Sequence, residues 1–150
     1  VKLSRRDASR STGEEAVRTE AETNLGRGSF AAIGVVGPKT EENIGTLWRS
    51  AYQLGAALLF TVSARYKMQR TDTLRVPLRL PYMHFEDWAG FASASPYAAV
   101  LVGVEMGGTP LEEFEHPERA VYLLGSEDTG LPPSVVQACH RVVSISSERT

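Results

Sequence analysis

The chain has 150 residues, of which 42% are hydrophobic and 23% are charged, and these values describe one globular domain that can bury a core. The net charge of −2 excludes a globally basic surface, so any contact with nucleic acid must be local. The single cysteine, Cys139, excludes an internal disulfide and a multi-thiolate metal site.

Further absences in the sequence narrow the class of protein. The three histidines, His84, His116 and His140, include no pair at helical ligand spacing, which argues against a zinc site and predicts no bound metal. No apolar run approaches the roughly 20 residues that span a bilayer, and no signal peptide is recognisable. We therefore expect a cytoplasmic protein with no membrane partner.

The amino-terminal segment differs in composition from the rest of the chain. Residues 1–28 are rich in charged side chains and contain no aromatic residue. Such a composition cannot bury enough apolar surface to offset the entropy that is lost on ordering. We predict a disordered or weakly helical segment here, followed by one folded domain over residues 29–150.

The first folded stretch has the pattern of a βαβ unit. An apolar run, Ala31–Gly37, is followed by a helical pattern over Asn43–Leu54, a stop at Gly55 and a second apolar run, Ala57–Ser63. Both runs are apolar throughout, as strands buried on both faces of a parallel sheet are. Thr40 is predicted to cap the helix at its amino-terminal end.

The helical pattern separates two faces. The apolar face consists of Ile44, Leu47, Trp48, Ala51 and Leu54. Gly45, Arg49 and Gln53 share another face, each four residues after the last, so Arg49 points away from the core side of its own helix. Spacing alone also describes an ordinary amphipathic helix whose arginine is solvated.

Basic residues of the predicted folded domain are concentrated in the segment after the second strand. It contains Arg65, Lys67, Arg70, Arg75 and Arg79, against Asp72 as the only acid. The cluster follows the carboxyl end of a strand, where open α/β sheets bind ligands, and Tyr66 and Met68 between the charges could stack on a base. A solvated loop is the alternative interpretation.

The rest of the chain alternates strands and helices. Pro77 and Pro81 bracket an extended piece; after it the pattern predicts helices over Phe85–Ala94 and Pro132–Cys139 and strands over Ala98–Glu105, Arg119–Leu124 and Arg141–Ile145. Gly107 and Gly108 predict a turn, and Thr109 predicts the cap of a short helical turn that reaches Phe114. Five apolar strands and intervening helices predict an α/β fold: a mainly parallel sheet with helices on both faces.

A glycine-containing loop, Leu124–Leu131, follows the fourth predicted strand. Gly125 allows a sharp turn off the strand and Gly130 allows a second reversal before the helix. This leaves backbone amides and carbonyls free at the carboxyl edge of the sheet, suited to an adenine or a ribose. The loop lacks the Lys-Ser/Thr pair of a P-loop and the glycine spacing of a dinucleotide-binding turn. A generic β–α turn is the alternative.

Two motifs together resemble one known family. Asn43-x-Gly45-x-x-x-Arg49-x-Ala51 directly after the first strand, and Leu124-Gly125-Ser126-Glu127-x-x-Gly130-Leu131 further on, are similar to the first and second motifs of the SpoU/TrmH RNA ribose 2′-O-methyltransferases of the SPOUT class. The likeness spans about residues 33–150. It implies a SPOUT-type α/β knot, S-adenosylmethionine as cofactor, tRNA or rRNA as partner, and a homodimer.

The resemblance also assigns roles to residues. Asn43, Arg49 and Glu127 match the family positions that serve catalysis. The cofactor is expected at Leu124, Gly125, Ser126, Glu127, Gly130, Ile145 and Thr150. RNA is expected at Arg65, Lys67, Arg70 and Arg75, because the family meets RNA in that region.

The third family motif is a hydroxyl residue, an apolar residue and Asn, of which only Thr150 is present. The first residue, Val1, is not Met, so the sequence looks like a fragment that lacks the last helix, with an incomplete knot and cofactor site. The alternative function is therefore a non-catalytic RNA-binding SPOUT fragment. An unrelated nucleotide-binding α/β protein would need a phosphate loop that the sequence lacks.

Overall fold

The computed structural model describes residues 29–39, 41–63 and 79–145. Its strands are β1 (Phe30–Val36), β2 (Leu58–Val62), β3 (Tyr82–Phe85), β4 (Val100–Pro110), β5 (Arg119–Leu124) and β6 (Arg141–Ser144). Its helices are α1 (Glu41–Gln53), α2 (Trp88–Ala94) and α3 (Pro133–Ala138), and a 3-10 turn covers Leu111–Glu113. The predicted cap Thr40, the amino-terminal segment, the basic residues Arg65, Lys67, Arg70 and Arg75, and Thr150 lie outside the described residues.

All six strands are parallel and form one sheet in the order β3-β2-β1-β5-β4-β6. Central strands of such a sheet bury both faces, which explains why β1, β2 and β5 are apolar runs without alternation. The predicted fold class, an α/β fold with a mainly parallel sheet, is confirmed.

Helices cover both faces of the sheet. On one face Phe91 of α2 and Val135 of α3 pack against Phe60 and Leu123 of the strands. On the other face Ile44, Trp48 and Ala51 of α1 pack against Val35 and Leu59. The apolar residues of β1 and β2 therefore contribute to two cores, one on each face, and the predicted helical stripe of α1 is the side that faces the sheet.

Trp48 connects α1 to the edge of the sheet. Its ring stacks on Tyr82 of β3 at 5.1 Å between centroids, and its indole N–H donates to the carbonyl of Leu80 at 3.3 Å. The buried hydroxyl of Thr61 is hydrogen-bonded to the Tyr82 hydroxyl at 2.5 Å and to His84 Nδ1 at 3.1 Å. Because these polar groups are paired, they do not destabilise the core around α1.

One strand, β3, was not predicted from the sequence. β3 begins directly after the piece that Pro77 and Pro81 bracket, where no strand was predicted, and it pairs with β2 at the edge of the sheet, so the described part of the chain contributes six strands rather than five. Phe85 ends this strand and does not begin a helix, and α2 starts at Trp88 after its cap Asp87. A four-residue edge strand with an exposed Met83 has too short a pattern to be told from a loop.

The region after Val104 also differs from the prediction. β4 does not end at Glu105 but continues to Pro110, and the expected turn is an irregularity inside the strand, where Val104 and Thr109 both pair with Val143 of β6. Gly107 supplies the positive φ of 82° there. The predicted Thr109 cap is wrong, because Thr109 lies in β4 and Pro110 precedes a 3-10 turn without a side-chain cap.

The carboxyl-terminal end of α1 needs a smaller correction. The helix ends at Gln53, and Leu54, predicted on the apolar face, is 85% exposed. Gly55 with φ of 79° reverses the chain immediately afterwards, so Leu54 belongs to the turn and no longer follows the helical period. Gly45, on the same stripe as Arg49, is buried, whereas Arg49 and Gln53 are exposed.

Within the described residues, no helix is both long and apolar enough to cross a membrane. Cys139 follows α3, is half-buried and donates from Sγ to the carbonyl of Val135 at 3.2 Å. Burial raises the pKa of its thiol, so the thiolate is disfavoured and the side chain acts as a small packing residue.

Gly34 offers a direct test of the core between β1 and β2. A Cβ built there lies 2.2 Å from Cζ of Phe60, whose ring is fully buried and stacked on Phe91 at 4.6 Å. We expect Gly34→Ala to lower the free energy of unfolding by about 1–3 kcal/mol, because the ring has nowhere to move.

Urea unfolding of Gly34→Ala, Phe60→Leu and the double variant measures this effect. The cost of Gly34→Ala should shrink in the Phe60→Leu background, since the smaller side chain frees the space. Equal costs in both backgrounds would contradict the proposed overlap.

Candidate functional site

The candidate site lies at the carboxyl edge of the sheet, around the neighbouring strands β1, β5 and β4. From β1 the chain moves to β2 on one side, whereas from β5 it crosses β4 to reach β6 on the other. Adjacent strands whose connections leave in opposite directions form a topological switch point, where α/β sheets bind ligands in the crevice beyond the strand ends.

Two clefts flank the end of β5. The first, which we call the β1 cleft, has a volume of about 210 Å³, and its polar rim consists of Lys39, Asn43, Gly125, Ser126 and Glu127. The second, the β4 cleft, has a volume of about 260 Å³ and is lined by Glu105, Met106, Gly130 and Ile145. Leu124, Gly125 and Ser126 line both clefts and form the wall between them.

The loop that makes this wall is closed by its own backbone. The amide of Gly130 donates to the carbonyl of Ser126 at 2.9 Å, and the two residues form an isolated antiparallel bridge. The hydroxyls of Ser126 and Thr129 are 2.6 Å apart. A Cβ on Gly125 would lie 2.0 Å from the Gly130 carbonyl carbon, so the close approach of the two loop ends requires glycine.

Glu105 holds this loop against β4. Its Oε2 accepts from the amide of Leu131 at 2.9 Å, and its Oε1 accepts from the amide of Met106 at 2.9 Å. These two backbone bonds, the one from Leu131 first, lower the pKa of the Glu105 carboxyl, against a smaller opposing effect of burial. Because Leu131 is buried in the core under α3, the carboxylate ties the wall of both clefts to the folded body.

The two clefts differ in charge. Lys39 in the β1 cleft forms an ion pair with Asp128, and so joins the loop after β1 to the loop after β5. The β4 cleft carries the carboxylate of Glu105, and the described residues that line it include no Lys or Arg. The β1 cleft therefore contains a cation, Lys39, that can meet an anionic ligand, together with the carboxylate of Glu127, whereas the described lining of the β4 cleft contains a carboxylate alone and favours a neutral or cationic ligand.

The structure brings together residues from both sequence motifs. Asn43 and Glu127 line the β1 cleft, and Ile145 lies in the β4 cleft. Arg49 is exposed on α1, about 9 Å further along the helix axis than Asn43, and is not among the residues that line either cleft. Arg79 is the described member of the basic cluster, and it donates to the Tyr52 hydroxyl at 3.1 Å.

Sequence reasoning missed three residues of the site: Lys39, Glu105 and Asp128. Glu105 is a lone carboxylate directly after a buried apolar run, at the edge where ligands bind, and that position was a usable signal. The pairing of Lys39 with Asp128 spans 89 positions and has no signal in the sequence. Among the described residues, no group of three or more His, Cys, Asp or Glu side chains could hold a metal ion.

Comparison with known proteins relates this architecture to one family. The SpoU rRNA Methylase family matches residues 31–150, a range that contains both clefts. A comparison with curated proteins finds no match.

Solved structures share the fold. An rRNA methyltransferase from Sinorhizobium meliloti with bound AdoMet is 19% identical with a TM-score of 0.67, over 78% of this chain and 47% of that chain. The SpoU methyltransferase AviRb from Streptomyces viridochromogenes, in complex with the cofactor AdoMet, is 24% identical with a TM-score of 0.67, over 81% and 53%.

A third structure, which concerns the 2-OH methylation of C/U34 on tRNA, is 21% identical with a TM-score of 0.66, over 81% of this chain and 83% of that chain. The present chain thus spans about half of the Sinorhizobium and Streptomyces proteins and most of this third one.

The Glu105 contacts predict a pH-dependent stability. Replacing Glu105 by Gln should lower the free energy of unfolding by about 1–2 kcal/mol at pH 7, because one charged acceptor of two backbone amides is lost. The bonds lower the pKa of this carboxyl, so the stabilisation is present above its ordinary value of 4.5 and is lost as the pH falls through the lowered pKa.

Urea unfolding at pH 7 and in steps below pH 4.5 tests this dependence, with Glu113→Gln, an exposed carboxylate of the 3-10 turn, as the control. The gap between wild type and Glu105→Gln should close at low pH, whereas the control should stay near wild type throughout. A gap that does not change with pH would mean that the charge of Glu105 is unimportant.

Proposed function

The chain belongs to the SpoU rRNA Methylase family, and we propose that it transfers a methyl group from S-adenosylmethionine to the ribose 2′-hydroxyl of a tRNA or rRNA nucleotide. The observation that carries this proposal is the pair of clefts that share the wall Leu124-Gly125-Ser126. A methyl donor in one and a ribose in the other would meet at this wall.

The β4 cleft suits S-adenosylmethionine. Met106 and Ile145 are 90% and 65% exposed at this cleft and provide apolar surface for an adenine ring. The cofactor contains no phosphate, which agrees with the absence of Lys and Arg from the described lining, and its positive sulfonium is compatible with the Glu105 carboxylate. AdoMet is bound in the Sinorhizobium and Streptomyces relatives, which supports the same cofactor here.

The β1 cleft suits the nucleotide that is modified. Asn43 presents an amide that can donate to and accept from a ribose, and Glu127 presents an exposed carboxylate on the opposite loop. The relative concerned with 2-OH methylation on tRNA supports the ribose hydroxyl as the acceptor. We assign Asn43 to orientation of that hydroxyl and Glu127 to acceptance of its proton.

The cofactor, when bound, supplies a methyl carbon on a sulfonium that is already a good leaving group. The chain's own residues therefore have two tasks, to orient the attacking hydroxyl in line and to receive its proton. Arg49 stays protonated in a protein and cannot be a simple base. Its exposed position on α1 suits it to bind an RNA phosphate, and so to hold the strand across the β1 cleft.

We expect the cofactor to bind at the β4 cleft. Ile145→Glu should weaken S-adenosylmethionine binding roughly tenfold or more, about 1.4 kcal/mol, because a charge replaces apolar surface that the adenine would cover. Its effect on unfolding should stay within about 0.5 kcal/mol, since the side chain is mostly exposed. Leu54→Glu, at a leucine that is 85% exposed and lines neither cleft, is the matched control.

Titration calorimetry with S-adenosylmethionine measures the affinity, and a thermal melt measures the fold. Binding by wild type and Leu54→Glu but not by Ile145→Glu is the expected result. Equal affinity in all three would move the cofactor away from the β4 cleft.

The main test of the activity is incorporation of tritiated methyl groups from S-adenosylmethionine into bulk tRNA and rRNA, followed by nucleoside analysis for 2′-O-methylation. Arg49→Ala should reduce the rate roughly a hundredfold or more, the range expected for a misplaced reacting group. Arg49→Lys should recover little, because an ammonium lacks the planar fork of a guanidinium. Both should unfold within about 0.5 kcal/mol of wild type.

Gln53→Ala, one turn further along the same exposed stripe of α1, is the control and should keep full activity. Full activity in Arg49→Ala, or a collapsed melting temperature, would return Arg49 to a structural role. RNA binding by the wild-type protein without methyl incorporation would favour the non-catalytic RNA-binding alternative.

A further inference from the structure

Lys39 is one of the residues that line the β1 cleft. It lies in the loop between β1 and α1, and it lines the cleft together with Asn43 and Glu127. Of the described residues that line this cleft, Lys39 alone carries a positive charge. An RNA strand carries a negative phosphate next to every ribose. A cation at the cleft that would hold the ribose would therefore lie close to a phosphate of the substrate.

The partner of Lys39 is the carboxylate of Asp128, on the loop that separates the two clefts. The side chains are 57% and 64% exposed, and such a solvated ion pair adds little stability because water screens both charges. The pair is therefore easily exchanged. Asp128 is not among the residues that line the β1 cleft, so release of the ammonium leaves Lys39 at the cleft with its full charge.

We propose that Lys39 is a substrate-positioning residue whose ammonium binds a phosphate of the RNA strand at the β1 cleft, and that Asp128 competes with this phosphate for the same ammonium. This inference rests on the proposed function, because it assigns RNA to the β1 cleft. The phosphate on the 3′ side of a ribose is the nearest anion to its 2′-hydroxyl. A cation that holds this phosphate therefore helps to fix the hydroxyl beside Asn43.

The two partners of the ion pair should respond to substitution with opposite signs. If the pair were only a structural bridge between two loops, removal of either partner would have the same effect. If Asp128 competes with RNA, loss of Lys39 weakens RNA binding, whereas loss of the Asp128 charge strengthens it. This difference in sign separates the two roles without reference to catalysis.

The experiment is fluorescence anisotropy of fluorescein-labelled bulk tRNA with the whole protein, without cofactor, over a series of KCl concentrations. Lys39→Met keeps a long unbranched side chain and removes the charge, and it should weaken binding roughly five- to tenfold and reduce the salt slope by about one. Lys39→Arg keeps a cation and should bind close to wild type. Asp128→Asn should bind roughly two- to fivefold more tightly.

Controls for net charge come from the opposite edge of the sheet. Arg141→Gln, at the start of β6, and Glu118→Gln, just before β5, make the same changes in charge as Lys39→Met and Asp128→Asn. They should leave the affinity within about twofold of wild type, because screening weakens charges that are distant from the bound phosphate. Thermal melts of all variants check that the fold is intact.

Turnover kinetics add a second readout. Lys39→Met should raise the KM for RNA more than it lowers kcat, and calorimetry should give an unchanged affinity for S-adenosylmethionine. Weaker RNA binding in both Lys39→Met and Asp128→Asn, or wild-type binding in Lys39→Met, would overturn the role of Lys39. Failure of the proposed function is a separate result, because a wild-type protein that binds RNA but transfers no methyl group still reports on Lys39 by anisotropy.

Discussion

The parallel pairing of β5 between β1 and β4 is the constraint on which the site depends. Leu124, the last residue of β5, is in register with Val35 of β1 and with Val104 of β4. β1 and β5 therefore end at the same level, beside the point after Val104 where the regular pairing of β4 with β6 is interrupted. The segments that follow these three positions lie at the same edge of the sheet. A register shift of one residue would exchange the side chains that β5 presents to the two faces of the sheet and would disrupt the packing on each of them.

The loop after β5 lines both clefts, and several contacts hold it in place. Its ends approach so closely at Gly125 that a Cβ would overlap the backbone, and the Glu105 carboxylate joins it to β4 through the amide of Leu131. These contacts are made by main-chain atoms and one charged acceptor, so they restrict the loop more than exposed side-chain contacts would. A wall held in this way can fix the position of one bound molecule relative to the other where the two clefts adjoin.

The charges at the two clefts indicate which ligand each cleft would bind. The carboxylate of Glu105 lies at the cleft that suits a cationic cofactor, and the ammonium of Lys39 lies at the cleft that suits an anionic strand. A protein with a net charge of −2 does not attract RNA by its overall field, so local cations must supply the contact. The weak pairing of Lys39 with Asp128 keeps such a cation available.

The sequence by itself determined the fold class, the βαβ unit around α1 and the two motifs, because unbroken apolar strands, a helical stripe through Ile44 and Trp48, and glycines at fixed spacing are local patterns. It did not determine β3, which is a short edge strand held by pairing with β2 and by Trp48 stacked on Tyr82. Nor did it reveal Glu105 and Lys39 as parts of the site. Asp128, the partner of Lys39, and Leu131, one of the two partners of Glu105, are distant in the chain, and only the order of the strands in the sheet brings them within reach.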